Sequence, residues 1–277
     1  MANEIENVAL RAARAAGRIH LKRLSRINIV RKSNSIDLVT EADRESETAI
    51  IDVIHRAFPT HAILAEESGA SAHQSDHRWI IDPLDGTTNF AHGFPQFCVS
   101  IAYQHRGRTQ FGVVFDALKK ELFTARLGRG ARLNGKPIHV STTDSLSASL
   151  LATGFPYDRR ERRRFYLCFW EAFMMRCQGV RRTGAAALDF VYVASGRTDG
   201  FWEFGLKAWD VAAGALIVEE AGGHVTNMDG SAFDVNGANV VATNRRIHSQ
   251  MVTVIAEIRP EADRRHAEML RESNAAA

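Results

Sequence analysis

Apolar residues recur at helical spacing through the first sixty residues of the chain. The first apolar face predicts an N-terminal helix, and its members are Ile5, Val8, Ala12, Ala15 and Ile19. Residues 27–39 are of mixed polarity, which predicts a hairpin or a mobile loop. A second helix is expected to begin near Thr40, to turn the isoleucines between residues 50 and 54 inward, and to end at Phe58-Pro59.

Short apolar runs and alternating segments predict β-structure in the next part of the chain. The runs at 62–65 and 79–81 are typical of buried strands. Three segments have the pattern of an antiparallel sheet, namely 99–103, 110–115 and 121–125. The pair Asn134-Gly135 predicts a two-residue hairpin turn, because both positions favour positive φ.

Beyond residue 145 the pattern becomes mixed. Residues 150–153 predict a strand, and phenylalanines at four-residue steps predict a helix from Arg162 to Cys177. A further helix is expected from Asp210 to Ala221, closed by the glycine pair that follows it.

These elements suggest one unit made of two lobes. We expect an N-terminal α+β lobe over residues 1–145 and a C-terminal α/β lobe over residues 146–259. Residues 260–277 begin with a proline and end in small residues, so a loose polar tail is expected there.

Composition confirms a globular chain and excludes several classes. The 277 residues are 45% apolar and 24% charged, which rules out a disordered chain and a small disulfide scaffold. The net charge of +3 is too small to indicate nucleic-acid binding by itself. The three cysteines, Cys98, Cys168 and Cys177, form no C-x-x-C pair and predict buried thiols in a reducing compartment. Without a signal peptide or an apolar run of about 20 residues, a cytoplasmic location is expected.

The stretch from Trp79 to Phe90 concentrates candidate chemistry in one turn. An apolar strand leads directly into Asp82-Pro83-Leu84-Asp85, so the turn can direct two carboxylates and the Leu84 carbonyl at one point. Gly86 permits close backbone approach, and Thr87 would begin a helix whose free N–H groups suit a phosphate. Oxygen-only ligands favour Mg²⁺ over zinc. The turn therefore predicts a magnesium and phosphate site, against the simpler alternative of an Asx-turn followed by an N-cap.

Three further acids have both a functional and a structural interpretation. Glu66, in Glu66-Glu67-Ser68-Gly69, is either a surface-turn residue or another ligand of the same cation. Asp43 fits a capping box with Thr40 as the N-cap. Asp210 fits an ordinary helix start. Spacing alone cannot bring these acids together.

The chain resembles the inositol monophosphatases, which belong to a lithium-sensitive, Mg²⁺-dependent phosphatase superfamily. The resemblance lies in W-I-I-D-P-L-D-G-T-T-N-F at 79–90, A-E-E-S at 65–68 and W-D-V-A-A-G at 209–214, and it covers about residues 5–258. D-L-V-T-E-A-D at 37–43 and R-R-T-G-A-A at 181–186 extend it. It implies an α/β fold built as a five-layered αβαβα sandwich, and a homodimer.

The resemblance also implies roles for individual residues. Glu66, Asp82, the Leu84 carbonyl, Asp85 and Asp210 would be metal ligands. Asp43 would act through water in the outer shell, and Glu66 with Thr87 would position the attacking water. The residues implied in substrate binding are Lys32, Leu84, Gly86, Thr87, Gly184, Ala185, Ala186 and Glu203. Ala185 stands where a hydroxyl residue is common, which removes one substrate contact.

The implied reaction is hydrolysis of a phosphate monoester by metal-activated water, using two or three Mg²⁺ ions, with Mn²⁺ as a substitute and Li⁺ as an inhibitor. Inositol 1-phosphate is the first substrate expected, because Glu203 accepts hydrogen bonds from hydroxyls but repels a second phosphate. Fructose 1,6-bisphosphate or another sugar phosphate comes second and a nucleotide third.

A binding role is the alternative of a different class. The segment 159–164 packs five arginines into six residues, with Arg181-Arg182 as a second basic pair. It is either a solvated helix start or dimer contact, or a face for RNA or a protein. The resemblance includes bacterial members that act in transcription antitermination, whereas no membrane partner is expected.

Overall fold

The computed structural model describes residues 2–24, 29–31, 38–237 and 239–275. The helices are α1 (Ala2–Arg23), α2 (Glu41–Ala57), α3 (Thr87–Ala91), α4 (Arg163–Met174), α5 (Ala186–Ala194), α6 (Ala208–Glu220) and α7 (His248–Ala275). The strands of the N-terminal half are β1 (Ile29–Arg31), β2 (Leu38–Thr40), β3 (Ala62–Ala65), β4 (Gly69–Ala70), β5 (His77–Asp85), β6 (Cys98–His105), β7 (Arg108–Asp116), β8 (Glu121–Arg126), β9 (Ala131–Leu133) and β10 (Lys136–Pro137). Those of the C-terminal half are β11 (Leu150–Thr153), β12 (Gly179–Arg181), β13 (Gly200–Glu203), β14 (His224–Asn227) and β15 (Val240–Thr243).

Two large sheets and three helical layers form the predicted five-layered αβαβα sandwich. The eight-stranded sheet has the order β10-β9-β8-β7-β6-β5-β3-β4 and is antiparallel except for the β3–β5 pair. The five-stranded sheet has the order β12-β11-β13-β15-β14. Helices α1 and α2 cover the outer face of the first sheet, α5 and α6 lie between the sheets, and α4 and α7 cover the second.

Small residues bring the central helices close to their neighbours. A Cβ at Gly112 of β7 would lie 3.0 Å from the backbone of Ala213 in α6. A Cβ at Gly214 would lie 2.6 Å from the Phe190 side chain of α5. Larger residues at either glycine would force the layers apart, so the small residues fix the depth at which α6 is buried.

The predicted helices of the N-terminal half are confirmed. The buried face of α1 includes Ile5, Val8 and Ala12. Helix α2 begins after the N-cap Thr40, in the capping box expected with Asp43, and its C-cap is Phe58. Of the two alternatives for residues 27–39, the hairpin is confirmed where β1 and β2 pair antiparallel, while residues 27, 28 and 32–37 lie outside the described part of the chain.

The predicted strands are also present, with one informative difference. Strand β5 continues past Pro83 to Asp85, although its pairing with β6 breaks between Asp82 and Asp85. Proline has no N–H to donate, which accounts for the break. The turn between β9 and β10 has the expected positive φ, 50° at Asn134 and 80° at Gly135.

In the C-terminal half, the expectation of a loose tail over 260–277 is wrong as far as residue 275. Helix α7 runs through Pro260, which lies on its exposed side. Beyond the proline, Ala262 is buried in the cluster that joins α7 to α4, and Met269 is buried further along the helix. Helix α4 ends at Met174 rather than at Cys177.

The cysteines carry no disulfide. Cys98 and Cys168 are buried and Cys177 is half-buried. Within the described ranges, none of the helices combines the length and apolar character needed to cross a bilayer.

Candidate active site

A cavity of about 600 Å³ opens where β5 and β13 end and α3 and α6 begin. Its lining includes carboxylates, cationic side chains and aromatic rings. The residues that line it include Glu66, Asp82, Leu84, Asp85, Gly86, Thr87, Phe155, Tyr157, Arg159, Arg182, Gly184, Ala186, Glu203, Lys207, Trp209 and Asp210.

Three aspartates meet in the wall of this cavity. Each of Asp82, Asp85 and Asp210 has a carboxylate oxygen within 4.8 Å of the others. Two of them come from the end of β5, and Asp210 comes from the first turn of α6. The backbone N–H of Lys207 donates to Asp210 Oδ2 at 2.6 Å, so the helix start holds this carboxylate in place.

Backbone donors also fix the two aspartates of the turn. Leu84 N–H donates to Asp82 Oδ1 at 3.0 Å, which is the local Asx-type contact of the turn. Ala187 N–H, in the first turn of α5, donates to Asp85 Oδ2 at 2.7 Å. The turn, α5 and α6 therefore converge on one point, although they are far apart in the sequence.

Burial and mutual repulsion make this cluster costly to ionise. Burial, with Glu66 and the other two aspartates nearby, raises the pKa of Asp82 well above its usual range. Burial raises the pKa of Asp85 to about 7, and burial with repulsion from Asp85 raises the pKa of Asp210 to about 7. A divalent cation would relieve this repulsion, and an all-oxygen donor set suits Mg²⁺.

Glu66 enters the same cavity from the neighbouring strand. It follows β3 directly, and its N–H donates to the Ile81 carbonyl of β5 at 3.2 Å. It lines the cavity without belonging to the cluster of three aspartates. The surface-turn alternative for Glu66 is therefore not favoured.

Asp43 connects the cap of α2 to Thr87 at the start of α3. Its Oδ2 accepts from Thr40 N–H at 2.7 Å and from Thr40 Oγ1 at 2.6 Å. Its Oδ1 accepts from Thr87 Oγ1 at 3.0 Å, and the Leu84 carbonyl lies at the same distance from that hydroxyl. Asp43 is thus a capping residue and a support for Thr87 at once, although it does not line the cavity.

Gly86 is required by both its conformation and its surroundings. Its φ is +88°, in the left-handed region that favours glycine. A Cβ there would lie 2.8 Å from the Gln96 carbonyl and 3.2 Å from Ala185 Cβ. Ala185 is buried against Gly86 and is not in the cavity wall, in contrast to the substrate contact expected for it.

The other predicted substrate residues divide into two groups. Gly184, Ala186 and Glu203 line the cavity, whereas Lys32 lies outside the described residues. Burial and repulsion from Asp189 raise the pKa of Glu203 well above its usual range.

Sequence reasoning missed several residues of this site. Arg159, Arg182 and Lys207 line the same cavity as the carboxylates. Lys207 stands three residues before Asp210, which is the only sequence signal it offered. Asp189 was detectable as the single acid within the apolar helix α5.

Asp189 is buried close to the segment that carries Arg182 and Gly184. Thr183 Oγ1 donates to its Oδ1 at 2.6 Å, and its Oδ2 has no hydrogen-bond partner among the described residues. Asn89 Nδ2 donates to the Thr183 carbonyl at 2.9 Å. These contacts hold the 182–184 segment beside the α3 turn.

The arginine-rich segment does not behave as one face. Arg162 stacks over the Phe165 ring at 4.5 Å from its centroid. Arg164 forms a salt bridge of 2.7 Å with Glu272 of α7. Arg159 turns into the cavity wall, which leaves Arg160 and Arg163 as the exposed members.

Comparisons with known proteins agree with this geometry. A model of the inositol monophosphatase family matches residues 1–262. The protein named Nus factor SuhB of Pseudomonas aeruginosa is 46% identical over 256 residues, covering 90% of this chain and 94% of the relative. An inositol monophosphatase structure from Anabaena matches with a TM-score of 0.83 and 44% identity, over 91% of this chain and 95% of the other. A Thermotoga maritima IMPase structure matches with a TM-score of 0.86 and 36% identity, over 95% and 100%.

Proposed function

The chain belongs to the inositol monophosphatase family, and on that premise we propose that it is a Mg²⁺-dependent hydrolase of small polyol phosphates, with inositol 1-phosphate as the first substrate to test. The observation that carries this proposal is the cluster of Asp82, Asp85 and Asp210 in the wall of a 600 Å³ cavity. A homodimer, expected from the family resemblance, is part of the proposal.

The donor set fits a hard divalent cation. Asp82, Asp85 and Asp210, with Glu66 and the Leu84 carbonyl beside them, would hold Mg²⁺. When bound, the metal supplies a water of lowered pKa and neutralises charge on the leaving oxygen.

The residues around Thr87 would orient the attacking water. The Thr87 hydroxyl donates its proton to Asp43 or to the Leu84 carbonyl. Its oxygen lone pairs then remain free to accept a hydrogen bond, because a hydroxyl has one proton and two acceptor positions. Thr87 and Glu66 line the same cavity and would orient one water between them. Asp43 acts through Thr87 and is a positioning residue.

Glu203 would bind the alcohol part of the substrate. It lies at the end of β13, buried at 8% exposure, with its carboxyl group in the cavity wall. Gly184 and Ala186 contribute no long side chains of their own to the same wall, and the Arg182 guanidinium lies over Gly184. This arrangement supports recognition of hydroxyl groups on the substrate.

The test is phosphate release from inositol 1-phosphate, fructose 1,6-bisphosphate and 3′-phosphoadenosine 5′-phosphate with Mg²⁺, with EDTA, and with Mg²⁺ plus Li⁺. Asp85→Asn and Asp210→Asn should each lower turnover at least about a hundredfold, because metal-held charge stabilisation contributes several kcal/mol. Asp144→Asn, an exposed carboxyl outside the cavity, is the matched control. Near-normal turnover of both site variants at saturating Mg²⁺ would refute the metal assignment.

A second candidate is a binding role in transcription, favoured by the name of the Pseudomonas aeruginosa relative. Its surface would be the exposed Arg160 and Arg163 rather than the whole arginine-rich segment. Glutamine at both positions should then weaken binding to RNA or to a transcription protein and spare hydrolysis. Unchanged affinities would exclude this surface.

A further inference from the structure

The aspartate turn, residues 82–85, leaves one buried carbonyl group without a partner in the sheet. The pairing of β5 with β6 breaks between Asp82 and Asp85, so Pro83 has no pairing residue in β6 among the described strands. Pro83 is buried, and a buried backbone carbonyl needs a hydrogen-bond donor. The donor for this carbonyl must therefore come from outside the sheet.

His20 of α1 supplies that donor. Its Nε2 lies 2.9 Å from the Pro83 carbonyl oxygen. A carbonyl oxygen can only accept, so Nε2 carries the proton and Nδ1 is the nitrogen without one. Nδ1 is buried and has no hydrogen-bond partner among the described residues. Burial lowers the pKa of His20 to about 4, so the ring is neutral at pH 7 and keeps the proton that the carbonyl requires.

Packing fixes the position of the His20 ring. The side chain is fully buried and lies on the buried face of α1. A Cβ at Gly17, one turn earlier, would lie 2.5 Å from the Phe115 ring, so α1 lies very close to β7 at this point. The His20 ring centroid is 6.1 Å from that of Phe90 and 6.0 Å from that of Phe97, with both rings inclined to it. The helix and the two rings therefore hold Nε2 at the Pro83 carbonyl.

The contact reaches the Asp82 carboxylate through a single peptide group. The Pro83 carbonyl and the Leu84 N–H belong to the same planar peptide. That N–H donates to Asp82 Oδ1 at 3.0 Å. His20 thus holds one end of the peptide and the Asp82 carboxylate accepts from the other end. Hydrogen bonds in such a chain polarise one another, so a donor on the carbonyl strengthens the N–H as a donor to Asp82.

Packing alone does not require a histidine at this position. An apolar side chain of similar size would fill the space beside Phe90 and Phe97 without burying an unpaired nitrogen, and burying a polar atom without a partner is costly. The one polar contact of the ring is the bond from Nε2 to the Pro83 carbonyl among the residues that the structure describes. The histidine is therefore explained by that bond.

We infer that His20 is a positioning residue for the metal site: by donating to the Pro83 carbonyl, it orients the Pro83–Leu84 peptide and, through that peptide, the Asp82 carboxylate. This inference rests on the proposed function, because Asp82 is one of the proposed Mg²⁺ ligands. Groups that hydrogen-bond to a metal ligand orient it and tune its affinity for the metal. His20 would act one peptide further from the metal than such a group.

Substitutions at His20 separate the hydrogen bond from the packing. His20→Leu and His20→Met fill similar space without a donor, whereas His20→Gln carries an amide N–H of similar reach. The Kd for Mg²⁺ is measured by titration calorimetry on the full chain after removal of metal with EDTA, without substrate. Loss of a group that supports a metal ligand costs about 10–100-fold in affinity. We expect the low end here, so Kd should rise about tenfold in the two donor-free variants and stay within about threefold of the original in His20→Gln.

His248→Leu is the matched control, because it makes the same change at another buried histidine. His248 lies at the start of α7, where its ring nitrogens bond to the hydroxyls of Thr226 and Thr243, and it does not line the cavity. The Kd for Mg²⁺ should be unchanged in this variant.

Urea unfolding in EDTA separates positioning from a purely structural role. The donor-free variants remove the unpaired Nδ1 together with the bond to Pro83, so the unfolding midpoint of the metal-free protein should change little while Mg²⁺ affinity falls. A purely structural role predicts the opposite. Unchanged Mg²⁺ affinity, equal losses in His20→Gln and His20→Leu, or donor-free variants that do not fold would overturn the inference and leave the proposed metal site intact. A folded original chain that binds no Mg²⁺ would overturn the inference and the proposed function together.

Discussion

Gly154 leaves the space that the Glu203 carboxylate occupies. It follows the last residue of β11, which pairs in parallel with β13, so residues 154 and 203 are neighbours at the ends of two strands. A Cβ at position 154 would lie 2.0 Å from Glu203 Oε1, 2.1 Å from Cδ and 2.2 Å from Oε2. The backbone at Gly154 is outside the positive-φ region. Gly154→Ala is therefore a steric perturbation of one carboxylate rather than a strain on the main chain.

The size of the expected effect follows from these distances. To reach an ordinary contact of 3.4 Å, the carboxylate must move by about 1.2–1.4 Å. Misplacing a group by about 1 Å in a site can cost on the order of a hundredfold in rate. We expect kcat/KM for inositol 1-phosphate to fall by about 10–100-fold in Gly154→Ala. The Mg²⁺ concentration for half-maximal activity should change by less than about twofold, because the aspartate cluster is held by other contacts.

A double-mutant cycle identifies the cause of the loss. If Gly154→Ala acts through Glu203, it should have little further effect in the Glu203→Gln background, and the two losses should be strongly non-additive. Steady-state kinetics of the four proteins with inositol 1-phosphate supply the measurement. Unchanged kcat/KM in Gly154→Ala, or additive losses in the double variant, would refute the role assigned to the Glu203 position.

Two other predictions concern stability. Asp85 and Asp210 have folded pKa values of about 7 against about 3.8 unfolded, so their protonation favours the metal-free fold below pH 4, and this stabilisation is lost as the pH rises through 7. The gain in Tm when Mg²⁺ replaces EDTA should therefore be larger at pH 8 than at pH 5. The buried histidines titrate both with and without metal, so their contribution cancels from this difference. A gain that is larger at pH 5 would contradict the prediction. Deleting residues 260–277 removes buried Ala262 and Met269 and should lower the free energy of unfolding by about 2–4 kcal/mol. An unchanged midpoint in urea would show that this part of α7 contributes no stability.

The aspartate turn could be predicted because its chemistry is local. The turn contains Asp82, Pro83, Asp85 and Gly86 within five residues. Backbone N–H groups hold the two carboxylates, the proline breaks the strand pairing, and the glycine adopts a positive φ. The prediction that Asp210 lies beside the aspartate turn required the family resemblance, because only the fold brings the start of α6 to the end of β5. Local pattern therefore identified the centre of the site, and sequence-distant packing completed it.

The errors have a physical cause as well. Residues 260–277 look like a tail because Pro260 and many charges interrupt the apolar pattern. Proline breaks a helix by removing one hydrogen bond, but here it lies on the exposed side. Burial of Ala262 in the cluster with α4, and burial of Met269 further along the helix, offset the loss. Tertiary packing thus outweighs the helix-breaking tendency of Pro260. This packing cannot be predicted from residue spacing alone, because the spacing does not show which element the helix packs against.

The arginines of segment 159–164 show why composition alone cannot separate an enzyme from a binding protein. Arg162 stacks on Phe165 at the start of α4, and Arg164 pairs with Glu272 of α7, so alanine at both positions would weaken the start of α4 and its junction with α7. A loss of partner binding in such a variant would then report instability as readily as a missing contact. Arg160 and Arg163 are exposed, and their removal perturbs little of this packing. Because Arg159 lies in the cavity wall, its substitution tests substrate selectivity, whereas substitution of Arg160 and Arg163 tests a partner surface. The two candidate functions are therefore separable by residues that stand next to each other in the chain.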